Sequence, residues 1–218
     1  TYKNLIGRDV NFLTTDLSDS EAEGQIWYNN TNGKFKRILT ASAWASSGSL
    51  SVARNGQGAC GTTSAGILGG GRDPAISTAP PASPTPGNTV SNFTEEYDGT
   101  GWTTGGDMTQ TRYRFSMLGT QTAAVAAVGF VTPGAVTVNS EEYNGTSWTE
   151  GNNSGTARGY TGGCGVENAG LIFGGTSYPP SQGRQEVEEY DGTSWAVNPA
   201  TLATARGTMG GTGNTTSA

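Results

Sequence analysis

Glu95-Glu96-Tyr97-Asp98-Gly99-Thr100-Gly101-Trp102 returns as Glu141-Glu142-Tyr143-Asn144-Gly145-Thr146-Ser147-Trp148, and again as Glu188-Glu189-Tyr190-Asp191-Gly192-Thr193-Ser194-Trp195. The three tyrosines stand 46 and 47 residues apart. Two further registers run with them. Arg54, Arg112 and Arg158 follow Trp44, Trp102 and Trp148 by ten residues, and Arg206 follows Trp195 by eleven. A glycine stands seven residues beyond each arginine, at Gly61, Gly119, Gly165 and Gly213. Self-similarity at a fixed period of about 20–50 residues is the mark of stacked structural units. Three registers held through successive copies exclude coincidence.

Each copy reads as a short antiparallel meander. Asp98-Gly99, Asn144-Gly145 and Asp191-Gly192 predict two-residue type I′ hairpin turns, which need positive φ at both central positions. The Tyr and Trp of each copy then lie on paired strands. Upstream run strands of small apolar residues ending in glycine, Ala65 to Gly70, Ala123 to Gly129 and Ala169 to Gly175. The segment after each arginine supplies a first strand, giving four strands in about 47 residues. Small residues suit crowded inner strands, and the aromatics suit the interfaces between sheets.

A glycine doublet, a Glu-Tyr-Asp element, a Trp at short spacing and an Arg opening the next unit resemble the kelch repeat. The doublet is read at Gly69-Gly70 and Gly174-Gly175, with Gly129-Phe130 departing from it in the middle copy. The resemblance covers residues 41–218 and rests on Tyr97, Trp102, Arg112, Tyr143, Trp148, Arg158, Tyr190, Trp195 and Arg206. It implies an all-β fold of kelch-like β-propeller blades. The same turn chemistry would also serve another β-meander or a solenoid. Propellers have about four to eight blades, whereas this sequence holds three complete units and the start of a fourth. The expectation is a longer polypeptide, or partner chains that complete the ring.

Composition agrees with a β protein and narrows the chemistry. Gly supplies 35 residues and charged residues only 14%, too few helix-favouring polar side chains for a helical protein. The longest apolar-leaning run, Ala123 to Val131, is far shorter than the roughly 18 residues of a membrane span, so membrane insertion is not expected. Residues 1–40 balance five basic against five acidic side chains, and residues 41–218 hold seven against thirteen. A net charge of −6 with no basic cluster disfavours nucleic acid as a partner. The chain has no His, which removes His general bases, His-bound metals and Ser-His-Asp triads. No cofactor and no catalytic residue is expected.

Residues 1–40 stand outside the repeat. Ile26 to Asn29 and Lys34 to Leu39 flank Asn30-Thr31-Asn32-Gly33 and read as a β-hairpin. The wording Gly24-Gln25-Ile26-Trp27-Tyr28-Asn29-Asn30-Thr31-Asn32-Gly33-Lys34-Phe35-Lys36 resembles a short module of phage tail-fibre and other virion proteins, notably of marine phages. Alternatively, with Trp44 close behind, the hairpin is the outer half of the first unit. The acidic loop of Asp16, Asp19, Glu21 and Glu23 lacks EF-hand spacing and reads as solvated. Cys60 and Cys164 occupy equivalent places in non-neighbouring units, too far apart for a disulfide, and are expected as buried free thiols. That suits assembly in a reducing host cytoplasm.

The repeats differ most in three connections, Arg72 to Val90 with its Pro-rich stretch, Thr132 to Asn139 and Thr176 to Glu186. Long connections on one face are natural binding loops or plain spacers, and Arg72, Asp73, Tyr178 and Arg184 are the candidate contacts. The resemblances imply a non-enzymatic virion structural protein, a tail fibre, appendage or capsid-surface component using a propeller as scaffold or host-attachment module. Residues 1–40 would be the attachment segment, and the partners other virion proteins, further copies of the chain and a host surface ligand. A kelch-type interaction module of a cellular adaptor is the alternative, followed by a propeller enzyme.

Overall fold

The computed structural model describes residues 12–13, 26–37, 46–72, 90–132 and 135–213. The chain divides into two compact units, residues 1–46 and 47–218. In the first, β1 (Phe12–Leu13) pairs parallel with β2 (Ile26–Asn29), and β2 forms an antiparallel hairpin with β3 (Lys34–Arg37). Asn29 shapes the turn, its Oδ1 accepting the Thr31 and Asn32 amides at 3.0 and 3.1 Å. The acidic loop and Trp44 lie outside the described residues.

The second unit carries three four-stranded antiparallel sheets, and no helix occurs among the described residues. The first holds β4 (Gly58–Gly61), β5 (Gly66–Gly69), β6 (Thr94–Tyr97) and β7 (Trp102–Thr104), each paired with the next in sequence. The second pairs β8 (Ser116–Thr120), β9 (Ala123–Ala127), β12 (Ser140–Tyr143) and β13 (Trp148–Glu150), with β10 (Phe130–Thr132) and β11 (Ala135–Val136) as a ribbon in the connection. The third pairs β14 (Gly162–Val166), β15 (Ala169–Phe173), β18 (Val187–Tyr190) and β19 (Trp195–Asn198) around a smaller ribbon, β16 (Thr176–Ser177) and β17 (Gln182–Gly183).

Two cores lie between these sheets. Ile67, Met108, Phe115, Met117, Ala124, Ala126, Tyr143 and Trp148 fill one, and Leu118, Val125, Ala127, Val128, Ile172 and Tyr190 the other. Strand β9 feeds both because alternate side chains point to opposite faces. Its run of Ala and Val lets a neighbouring sheet close on either side.

The glutamates divide the work by the same alternation. The first of each pair is buried against its sheet's arginine, as Arg54–Glu95, Arg112–Glu141 at 2.7 Å and Arg158–Glu188 at 3.0 Å. The second of the pair reaches the following sheet. Glu96 accepts a hydrogen bond from the Tyr143 hydroxyl, and Glu142 one from Tyr190. Each Tyr stacks on the Trp opposite it at 4.8–5.1 Å between ring centroids. Trp148 Nε1 donates to Thr94 Oγ1 of the first sheet at 3.1 Å, and Trp195 Nε1 approaches Ser140 Oγ of the second at 3.4 Å. Trp148 is buried, whereas Trp102 and Trp195 are half-buried.

The structure revises two turn assignments. The β6–β7, β12–β13 and β18–β19 hairpins are four-residue loops, and the Asp or Asn is not in the left-handed region. Its Oδ1 accepts two backbone amides instead, those of Thr100 and Gly101 at 2.8 and 2.9 Å in the first sheet. The side chain thus does what a second positive φ would have done. The glycine doublet is shifted by one residue in the first copy, to Gly70-Gly71 with φ of 61° and 97°, matching Gly174-Gly175 at 58° and 96°. Val128-Gly129 takes the same conformation, at 57° and 97°. A Cβ on Gly129 would lie 2.5 Å from Phe115 Cβ, so the second position excludes a side chain. A β-branched residue in the left-handed region is strained, and full burial of Val128 in the second core offsets this.

Two measurements check this packing. Trp148→Ala is expected to cost about 3–5 kcal/mol in chemical denaturation, and Trp102→Ala clearly less. Equal costs would contradict the burial difference. The Gly101 amide, followed by the Thr100 hydroxyl and amide, holds the Asp98 carboxyl down at about 2. Its stabilising contribution is present above the ordinary carboxylate value near 3.9 and fades as pH falls through about 2. An NMR titration should show that midpoint, and Asp98→Asn should keep the turn, as Asn144 does. A midpoint near 4 would mean that the cap does not form.

Candidate functional site

The scaffold repeats almost letter for letter, but three register positions beside the core arginines do not. The residue after the arginine is Asn55, Tyr113 or Gly159, and the next is Gly56, Arg114 or Tyr160. The residue after the positive-φ pair is Arg72, Phe130 or Thr176. Backbone bridges join them within each copy, Asn55 to Arg72, Tyr113 to Phe130 and Gly159 to Thr176. A second set of hydrogen bonds crosses between copies, from the Arg114 amide to Gly56 O and from the Tyr160 amide to Arg114 O at 2.8 Å. Arg114 and Tyr160 adopt φ of 53° and 58° to make these links, as Gly56 does at 65°. Strained backbone of this kind is concentrated at functional sites.

The side chains gather into one cluster. The Arg72 guanidinium lies 3.9 Å above the Tyr113 ring, and the Arg114 guanidinium 4.4 Å from Tyr160 and 5.5 Å from Tyr113. Phe130 packs against Tyr113 at 5.2 Å and meets Tyr160 and Tyr178 edge-on at 5.6 and 6.2 Å. Gly159 makes room for the Phe130 ring, which a Cβ there would approach to 2.3 Å. Tyr113 and Phe130 form the buried floor, Arg72, Arg114 and Tyr160 are half-buried, and Tyr178 is 46% exposed.

Of the residues singled out from the sequence, Arg72 and Tyr178 join this cluster from opposite ends. Arg184 does not, being half-exposed and paired with Glu186 at 3.0 Å. Asp73 and the Pro-rich stretch lie outside the described residues. Arg206 bridges Arg184 through the backbone, with its side chain exposed. Tyr113, Arg114, Phe130 and Tyr160 escaped the sequence reading. Their signal was present as the places where aligned copies disagree, one or two positions after the repeated arginine for Tyr113, Arg114 and Tyr160, and just after the positive-φ pair for Phe130.

A second feature is a cavity of about 570 Å³ between β4, β8, β14 and residues 211–213. Cys60 and Cys164 line it as half-buried free thiols. Burial pushes the Cys60 thiol up to about 12 and raises that of Cys164 as well. Both are therefore protonated at neutral pH, and the thiolate is the nucleophilic form. These cysteines act as small apolar wall residues, less deeply buried than expected.

No family model matches the chain, and no curated protein matches it in sequence. Among solved structures, its fold is similar to that of YjhT. The TM-score is 0.60 at 9% identity, covering 85% of this chain and 64% of YjhT. YjhT is a kelch-type β-propeller, and a likeness at this identity speaks to the fold alone.

Proposed function

We propose that the three sheets are blades of a kelch-like β-propeller, part of a larger or multi-chain ring, in a non-enzymatic virion structural protein. The propeller is the scaffold, residues 1–40 attach it to a neighbouring virion subunit, and the Arg–aromatic face is the host-attachment surface. The observation that carries a binding role is the contrast between an invariant scaffold and a variable cluster of guanidinium and aromatic planes. Such planes recognise ligands by stacking and charge, and rigid elements hold them in place. The virion setting is supported by the Gly24 to Lys36 wording and by a Gly/Thr/Ser-rich β composition.

Removal of residues 1–40 tests the reading, because the repeat unit has its own two cores. Particles assembled with the full chain should contain the protein, and those assembled with the shortened chain should lack it. The isolated repeat unit should keep its β circular-dichroism spectrum. Incorporation of the shortened chain at the normal level, or recovery of the full chain in a cellular complex instead of particles, would overturn it.

A further inference from the structure

Arg72 and Arg114 stand apart from the other buried or half-buried arginines of the repeat unit, Arg206 being exposed and likewise without an ion pair among the described residues. Arg54, Arg112, Arg158 and Arg184 each face a glutamate within ion-pair distance. Among the described residues Arg72 and Arg114 have no carboxylate partner, and Arg72 Nε, like that of Arg112, Arg158 and Arg184, is buried without a hydrogen-bond partner. Carboxylates are not scarce, since residues 41–218 carry thirteen acidic side chains against seven basic. The fold holds two positive charges together on one ring, Tyr113, with no described carboxylate paired to either. A guanidinium stacked on an aromatic face keeps its N–H edges free to donate to an anion, often in pairs.

The groups around these charges are aromatic. Tyr160 lies beside Arg114, and Tyr178 extends the cluster outward through Phe130. Aromatic planes accept the C–H faces of sugar rings while charged groups are held alongside. Two cations on a shared ring suit successive anionic groups along a chain better than one compact ion.

We infer that this cluster binds an anionic polysaccharide, with Arg72 and Arg114 pairing its carboxylate or sulfate groups and Tyr160 and Tyr178 stacking on its sugar rings. The inference rests on reading this face as the attachment surface and names what it attaches to. A nucleic acid is disfavoured by the acidity of the surrounding unit. An acidic peptide would use the charges without the aromatic planes.

Biolayer interferometry of the full chain against immobilised polygalacturonate, dextran sulfate, neutral dextran and poly-L-glutamate tests it. Binding to polygalacturonate or dextran sulfate is expected, weakening as salt rises, with the stronger of the two identifying the anion. Neutral dextran should not bind, and poly-L-glutamate should bind at least tenfold more weakly. Arg72→Gln, Arg114→Gln and Tyr160→Ala should each reduce polysaccharide affinity about tenfold or more, equivalent to about 1.4 kcal/mol. Arg184→Gln, outside the cluster, should leave it unchanged. Neither Arg72 nor Arg114 holds an ion pair among the described residues, so their Gln variants should melt near the wild-type temperature. Equal binding to poly-L-glutamate, an equal loss with Arg184→Gln, or no binding to either anionic polysaccharide would overturn the inference. The last result, with normal incorporation into particles, would remove this ligand and leave the virion reading standing. Polysaccharide binding by a protein absent from particles would do the reverse.

Discussion

A guanidinium buried with a carboxylate, three times over, is the constraint that organises the repeat unit. Arg112 is fully buried, donates to Val128 O and Asn139 O at 3.1 and 3.0 Å, and meets Glu141 at 2.7 Å. Glu141 also accepts the Thr109 and Gln110 amides, which fixes the segment entering its sheet. Glu95 accepts the Ser51 amide and Glu188 that of Gly155 in the same way. A buried ion pair gains little net stability over apolar residues of similar volume, because desolvation of two charges is costly. What it demands is register. Misplacing β12 by one residue would remove Glu141 from Arg112 and present Glu142 to the core instead.

That constraint explains why the chain repeats so strictly where it does. The first glutamate must face the arginine, the second the next sheet's tyrosine, and the Tyr–Trp pair must close the outer hairpin. Burial, and then the Glu96 hydrogen bond, push the Tyr143 hydroxyl up to about 12, which keeps it a donor throughout the neutral range. The carbonyl of Arg112 accepts the Gly71 amide at 2.8 Å, and those of Arg158 and Arg206 repeat this with Gly129 and Gly175. Arg112 and Arg158 therefore anchor their own sheets through the side chain and the preceding ones through the backbone, while exposed Arg206 makes the backbone link alone. Positions beside it are released from this work, and the Arg–aromatic cluster occupies them.

Much of the fold was legible because repetition reports structural equivalence directly. The four-stranded unit, the hairpins and the small-residue second strand follow from the spacing of Tyr97, Trp102 and Arg112 and their copies. The two glutamate roles were not read, since alternation assigns them to opposite faces without saying what waits there. The turn type was misread because an Asp or Asn before Gly serves both as a left-handed residue and as an acceptor of turn amides. Of the site, Arg72 and Tyr178 were visible as exceptions in variable connections. Tyr113, Arg114 and Phe130 were not, because their contacts with Arg72 and Tyr160 join residues of different copies and rest on backbone positions such as φ of 53° at Arg114.

A double-mutant cycle at Arg112 and Glu141, read by chemical denaturation of the full chain, tests this account most directly. Glu141→Leu and Arg112→Met should each cost about 3–5 kcal/mol, because each strands a buried partner. The double variant should recover most of that loss while keeping the wild-type circular-dichroism spectrum, giving a coupling of several kcal/mol. Single variants costing under about 1 kcal/mol, or costs that simply add in the double variant, would show that the pair does not hold the repeat in register.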